Sequence, residues 1–144
     1  MIHPVVAYLE AVKDEPGCEA ERFVLQHGRV FAGSQRPKGM RGQKVGLCYQ
    51  NAAHHALDGR GLSYVEGFAM GPNKAQVIKH AWLTSDGTDA IEPTGKSRDA
   101  SGGYFFGVQF STRALAELLL LRGYQGLIDP VDEALISAME RWPV

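Results

Sequence analysis

Cysteine is scarce in this chain, with Cys18 and Cys48 the only two in 144 residues. Two thiols cannot make the framework of a disulfide-stapled domain. Neither has a second Cys or a His at the spacing of a metal ribbon. His54 and His55 are adjacent, so they do not form an i, i+4 ligand pair on one helix face. Long apolar runs are missing too, and none reaches membrane-spanning length. The N-terminal "MIHPVVAYLEAVKDE" has no basic n-region and meets acids early, which makes a poor signal peptide. A reducing cytoplasm is the expected compartment, and it keeps a reactive thiol usable. Net charge is also small, at −1, so the total implies no strongly acidic or basic partner. Repeats and low-complexity stretches are absent. "EGFAMGPNKA" and "GKSRDASGG" contain Gly and Lys without the strand–GxxxxGK[ST]–helix order of a phosphate-binding loop. No nucleic-acid module accompanies the basic residues, so nucleic acid is not an expected partner.

One local absence stands out. From Arg22 to Leu57 there is no Asp or Glu, while Arg22, Arg29, Arg36, Lys38, Arg41 and Lys44 all occur. The ordinary reading is a solvated basic loop. The alternative is that positive potential near Cys48 favours a thiolate or draws in an anionic substrate.

The length suits one domain, residues 1–144, with one core. Helical spacing appears in "PVVAYLEAV", with Pro4 placed for a first turn, and in "EAERFVLQHG", which ends at Gly28. "AGSQRPKGMRGQK" reads as loop. "CYQNAAHHALDG" is Ala-rich and stops at Gly59, which predicts a helix starting near Cys48. The period then changes. "LSYVEGFAM", "AQVIKHAWLT" and "YFFGVQF" read as strands, and the turn "SDGT" folds "DAIEPT" back on "AQVIKHAWLT" as a hairpin. Ser111 or Thr112 caps "RALAELLLLRG", and "DPVDEALISAMERW" offers Asp129 as cap with Pro130 in the first turn. Helices, then strands, then helices predict an α+β fold, with about four antiparallel strands packed against an N-terminal Cys-bearing helix and flanking helices.

Cys48 stands where a Gly-containing loop becomes a helix. There the positive end of the helix dipole and unpaired N–H groups favour a thiolate and can receive an oxyanion. A buried, inert cysteine is the competing reading. Cys18 lies in a polar turn without that context. His80 shares a strand face with Trp82, and a strand His is commonly a satisfied structural residue. The hairpin, however, can bring a carboxylate beside it. Asp89 and Glu92 compete for that place and have opposite parity, so a regular strand offers only one of them. Asp86 belongs to the turn itself. Tyr49 and Trp82 are candidates to line a cleft or to fill the core. Asn51 and Gln50 lie in the first helical turn, where Asn51 can bond locally or shape the site. Ser101, Gly102 and Gly103 form a surface loop or a lid.

"CYQNA", "YVEGFA", "HAWLT" and "IEPT", in that order, resemble the transglutaminase-like branch of the papain-like cysteine enzymes. In that family a Cys at a helix start precedes a His-Ala-Trp or His-Val-Trp strand and an Asp-Pro-Thr segment. The resemblance covers mainly residues 43–94. It implies Cys48 as nucleophile, His80 as general base and acid, and Glu92, in place of Asp, as the orienting acid. Asp89 is the alternative acid. Gln43, five residues before Cys48, resembles the oxyanion-hole Gln of papain-like peptidases at one residue shorter spacing. A solvated loop residue is its other reading. The chemistry implied is attack on an amide carbonyl through a thioacyl intermediate, with a protein or peptide substrate. Water as acceptor makes a peptidase or deamidase, and an amine makes a transglutaminase-type enzyme. An inactive binding module on the same scaffold is the non-enzymatic alternative. The sequence also resembles small bacterial or phage proteins with this Cys–His–acid order, which fixes no substrate. No metal or organic cofactor is needed. The oligomeric state is not legible.

Overall fold

The computed structural model describes residues 2–73 and 76–144. Lys74 and Ala75, at the start of the expected strand 75–84, lie outside the described residues. Two helices come first, α1 (Pro4–Val12) and α2 (Glu19–His27), followed by β1 (Arg29–Gly33). A long loop leads to α3 (Cys48–Leu57) and then to the strands β2 (Ser63–Met70), β3 (Val77–Thr84), β4 (Asp89–Ala90) and β5 (Tyr104–Phe110). The chain closes with α4 (Thr112–Arg122) and α5 (Glu133–Arg141). Pro4 sits in the first turn of α1, and Ser111 caps α4 by accepting from the Ala114 N–H.

The fold is α+β, but its sheet is mixed rather than wholly antiparallel. It has five strands in the order β3-β2-β5-β1-β4. β2 pairs antiparallel with β3 and β5, β1 antiparallel with β5, and β4 parallel with β1. The fifth strand, β1, is "RVFAG", a short segment between two glycines that carries little local strand signal. The expected hairpin is also slighter than its turn implies. β4 has two residues and meets β3 only through the Leu83–Ile91 bridge, where each N–H donates to the other's carbonyl. That bridge curls the sheet back on itself. The helix bearing Cys48 is the third along the chain, packed on β3 and β2. The last helix starts later than expected. Asp132, not Asp129, is its cap, accepting from the Leu135 N–H at 3.0 Å.

The curl divides the apolar interior in two. Phe31, Val65, Ala69, Trp82, Ala90 and Phe105 fill the concave side. The convex side carries the larger core, where Leu9, Val24, Ala53, Tyr64, Leu83, Leu115 and Leu135 join the helices to the sheet. Strand alternation sorts the residues: Tyr64, Glu66 and Phe68 face the helices, and Val65 and Ala69 face inward. Trp82 is completely buried on the concave side. Gly107 leaves room for it, since a Cβ there would lie 2.8 Å from the indole ring.

Candidate active site

Three side chains from distant parts of the chain meet at one ring. Cys48 is the first residue of α3, His80 lies in β3, and Glu92 follows β4. The Glu92 carboxylate Oε2 is hydrogen-bonded to His80 Nε2. The Cys48 thiol lies near the same imidazole, close enough for its hydrogen-bonding capacity and charge to act on the ring. The His80 and Glu92 side chains are 12% and 19% exposed, so the pair is sheltered but reachable. Burial pushes the His80 pKa down. Hydrogen bonds from Cys48 and Glu92, with their charges, more than reverse this and hold the ring at about 9. An imidazolium is therefore its form at neutral pH.

The sheet register explains which acid reaches the ring. Extending the Leu83–Ile91 pairing puts Glu92 across from Trp82, on the face His80 shares, and one diagonal step from His80. A glutamate is long enough for that diagonal. Asp89 falls on the other face and is consumed by the turn. It accepts from Thr84 Oγ1 at 2.8 Å, from the Ser85 N–H at 2.7 Å and from Ser85 Oγ at 2.6 Å. Asp86 also serves the turn, accepting from the N–H groups of Thr88 and Asp89.

Glu92 is held in turn. Its Oε1 accepts from the Thr94 N–H at 3.1 Å. Thr94 Oγ1 accepts from Asn51 Nδ2 at 2.9 Å, and the same amide donates to the Lys44 carbonyl at 2.9 Å. Buried Asn51 thus ties the loop before Cys48 to the segment after Glu92. Arg36 holds that segment from behind. It is 3% exposed, and its guanidinium donates to the carbonyls of Glu92 (2.9 Å), Gly95 (3.0 Å) and Ser97 (3.0 Å). As part of a basic run in a polar loop, Arg36 reads as solvated. Its carbonyl partners lie some sixty residues away, and no local pattern announces them. Thr94 belongs to the quoted "EPT", but nothing in the sequence assigns it a role.

The remaining candidates separate. Trp82 lies beneath the site rather than in it, stacked under His80 with ring centroids 6.1 Å apart and 27° between planes. Tyr49 is partly buried beside Glu66 and lines a small cavity of about 190 Å³ that also reaches Lys79 and Asp129. Burial, then the Glu66 charge, raises its phenol pKa. Glu66 is itself buried and accepts from Tyr64 Oη (2.5 Å), the Leu127 N–H and the Ile128 N–H, anchoring the loop before α5. Gln43 is bound through its backbone to Pro93 and Gly95. Its side chain lines a hollow beside the site, where Oε1 is buried without a partner. Cys18 stands before α2, and burial and the carboxylates of Glu21, Glu15 and Glu19 push its pKa up. Gly102 and Gly103 line a cleft of about 390 Å³ together with His80 and Glu92.

Leu47, before Cys48, makes no side-chain cap, so the first N–H groups of α3 are free of side-chain acceptors. Among the described residues no three His, Cys, Asp or Glu side chains converge as metal ligands, and no helix is long and apolar enough to cross a membrane.

Comparison with protein-family models, with curated proteins and with solved structures finds no match to this chain. The site itself defines a class: a Cys–His–carboxylate assembly on an α+β scaffold.

Proposed function

We propose that the protein is a cysteine-dependent enzyme that cleaves or exchanges an amide bond, with Cys48, His80 and Glu92 as its triad in a papain-like, transglutaminase-like arrangement. The observation that supports this reading is that Glu92 engages Nε2 of one sheltered imidazole that also lies beside the Cys48 thiol. A base that shuttles a proton needs an orienting acid on one nitrogen and the nucleophile on the other.

His80, as imidazolium, already holds the thiol proton, and Cys48 Sγ attacks the amide carbonyl carbon as the thiolate. The oxyanion is received by N–H groups at the uncapped start of α3. Gln43, whose side chain lines the neighbouring hollow, is not needed for that role. As the tetrahedral adduct collapses, the C–N bond breaks and His80 delivers its proton to the departing amine. A thioester on Cys48 remains. His80, now neutral, then deprotonates the acceptor, and the thiol is regenerated. Water gives an acid product, and an amine gives a new amide. Glu92 keeps Nε2 engaged throughout, so that Nδ1 handles the proton.

The test is thiol reactivity mapped by site. Cys48 is expected to be alkylated by iodoacetamide near neutral pH much faster than Cys18, and His80→Ala to abolish most of that advantage. Casein incubations read for peptides, ammonia and amine incorporation then identify the acceptor, with Cys48→Ala as control. Slow, equal labelling of both thiols would sink the proposal.

A further inference from the structure

The basic stretch before Cys48 has a structural counterpart that the triad does not use. Arg41, Gln43, Lys44 and Val45 form a surface hollow of about 560 Å³ with Gly95 and Lys96. Arg41, Lys44 and Lys96 are exposed, and among the described residues none of them forms an ion pair. Buried Arg36 forms the back of the hollow and adds a further fixed positive charge. No acidic side chain lines it.

The hollow is built from the two loops that carry the triad. One runs into Cys48, and the other leaves Glu92. Backbone bonds join them, from Gln43 N–H to the Pro93 carbonyl and from Gly95 N–H to the Gln43 carbonyl. Gly95 and Lys96 are shared walls, lining both this hollow and the cleft of His80 and Glu92. Val45 is 74% exposed and Leu47 is 40% exposed on the same approach to Cys48. Unpaired cations beside exposed aliphatic side chains ask for carboxylates interspersed with apolar groups. A nucleic-acid strand fits less well, because no aromatic side chain lines the hollow for a base to stack on.

We infer that this hollow is a docking surface for an acidic, apolar-interspersed segment of a protein substrate, seating it so that a nearby amide reaches Cys48. The inference rests on the proposed function for its last step. Docking itself is a binding property that stands apart from reactivity.

The experiment uses the full chain and a short fluorescent peptide of alternating Glu and Leu, read by anisotropy at low and moderate salt. Binding is expected, weakening as salt rises, because exposed charge pairs are screened. Arg41→Gln, Lys44→Gln and Lys96→Gln combined are expected to weaken it on the order of tenfold, the sum of three exposed pairs. Saturating peptide is expected to slow alkylation of Cys48 but not of Cys18. A Lys–Leu peptide is expected not to bind. A single-stranded oligonucleotide of equal charge that binds as tightly as the Glu–Leu peptide would overturn the choice of partner. Unchanged affinity in the triple variant would overturn the assigned surface. Alkylation of Cys48 in the free protein separates the two ideas. If Cys48 is fast and the peptide does not bind, the docking inference alone is wrong. If the peptide binds and Cys48 is no faster than Cys18, the enzyme reading is wrong.

Discussion

Replacing Glu92 with Gln preserves the length of the side chain and one acceptor oxygen while removing the charge. Its consequence follows from the state of His80. The fold buries the ring, which opposes protonation, yet Cys48 and Glu92 hold its pKa at about 9 against an ordinary 6.5. That difference, about 2.5 pH units at about 1.4 kcal/mol each, corresponds to about 3 kcal/mol of pH-dependent stability. Because the folded pKa is the higher one, the fold favours the protonated ring. The contribution is therefore complete below about 6.5 and fades as pH rises through about 9. Glu92 is one of two groups that raise the ring, so its share is on the order of 1–2 kcal/mol. Urea unfolding of wild type and Glu92→Gln under reducing conditions, across a pH series, measures it. Wild type is expected to be the more stable by that amount at about pH 6, with the gap closing by about pH 10. A gap that stays constant across the series would refute the reasoning. So would an imidazole resonance, assigned to His80 by its loss in His80→Gln, that titrates near the ordinary value in wild type.

Arg36→Met is expected to cost roughly 3–5 kcal/mol, because three carbonyls lose a charged donor inside the protein. It should also slow alkylation of Cys48 by releasing the backbone at Glu92, whereas exposed Arg41→Met is expected to change stability by less than about 0.5 kcal/mol. Gly107→Ala is expected to destabilise by roughly 1–3 kcal/mol, since its Cβ would lie 2.8 Å from both the Glu66 carbonyl oxygen and the Trp82 ring. Trp82→Phe should recover part of that loss in a double-mutant cycle, because the buried indole Nε1 has no partner to lose.

The elements that were legible in the sequence carry their own signals. Pro4 and Ser111 mark helix starts through local chemistry, and the structure uses both as the pattern indicates. β2, β3 and β5 are rich in aromatic and β-branched residues between Gly and Pro punctuation, which marks them one by one. β1 was not legible because "RVFAG" is brief and its partners lie elsewhere: it pairs with residues 104–107 on one side and 89–90 on the other. The start of α5 misled for a different reason. Asp129-Pro130 has the form of a cap and a first-turn proline. Asp132 has the same capping chemistry, and it also pairs with Arg122 at the end of α4. Tertiary contact chose between two locally equivalent starts. The site shows the same division. Strand parity puts Asp89 and Glu92 on opposite faces, but parity alone does not say which one faces His80. One backbone bridge, Leu83–Ile91, settles that, and a bridge is a long-range fact.

The same reasoning bears on why a glutamate can stand at the third position. An acid directly opposite a histidine needs little reach. Here the register sets Trp82 opposite Glu92, and the carboxylate must cross diagonally over the Trp82 position to His80. Trp82 is kept beneath the ring by the space above Gly107, so the histidine has a flat apolar floor and a carboxylate at its edge. The length of the glutamate is then matched by restraint. Oε1 is fixed by the Thr94 N–H, the Glu92 carbonyl by Arg36, and Thr94 by Asn51. A long side chain carries more rotamer entropy than an aspartate, and these bonds are what offset that cost. Asn51 lies three residues after Cys48 on α3, so the brace on Glu92 and the position of the Cys48 thiol are set by the same helix. A displacement of α3 would therefore move Cys48 and the brace on Glu92 together, while His80, in a strand paired along its whole length with β2, stays fixed between them.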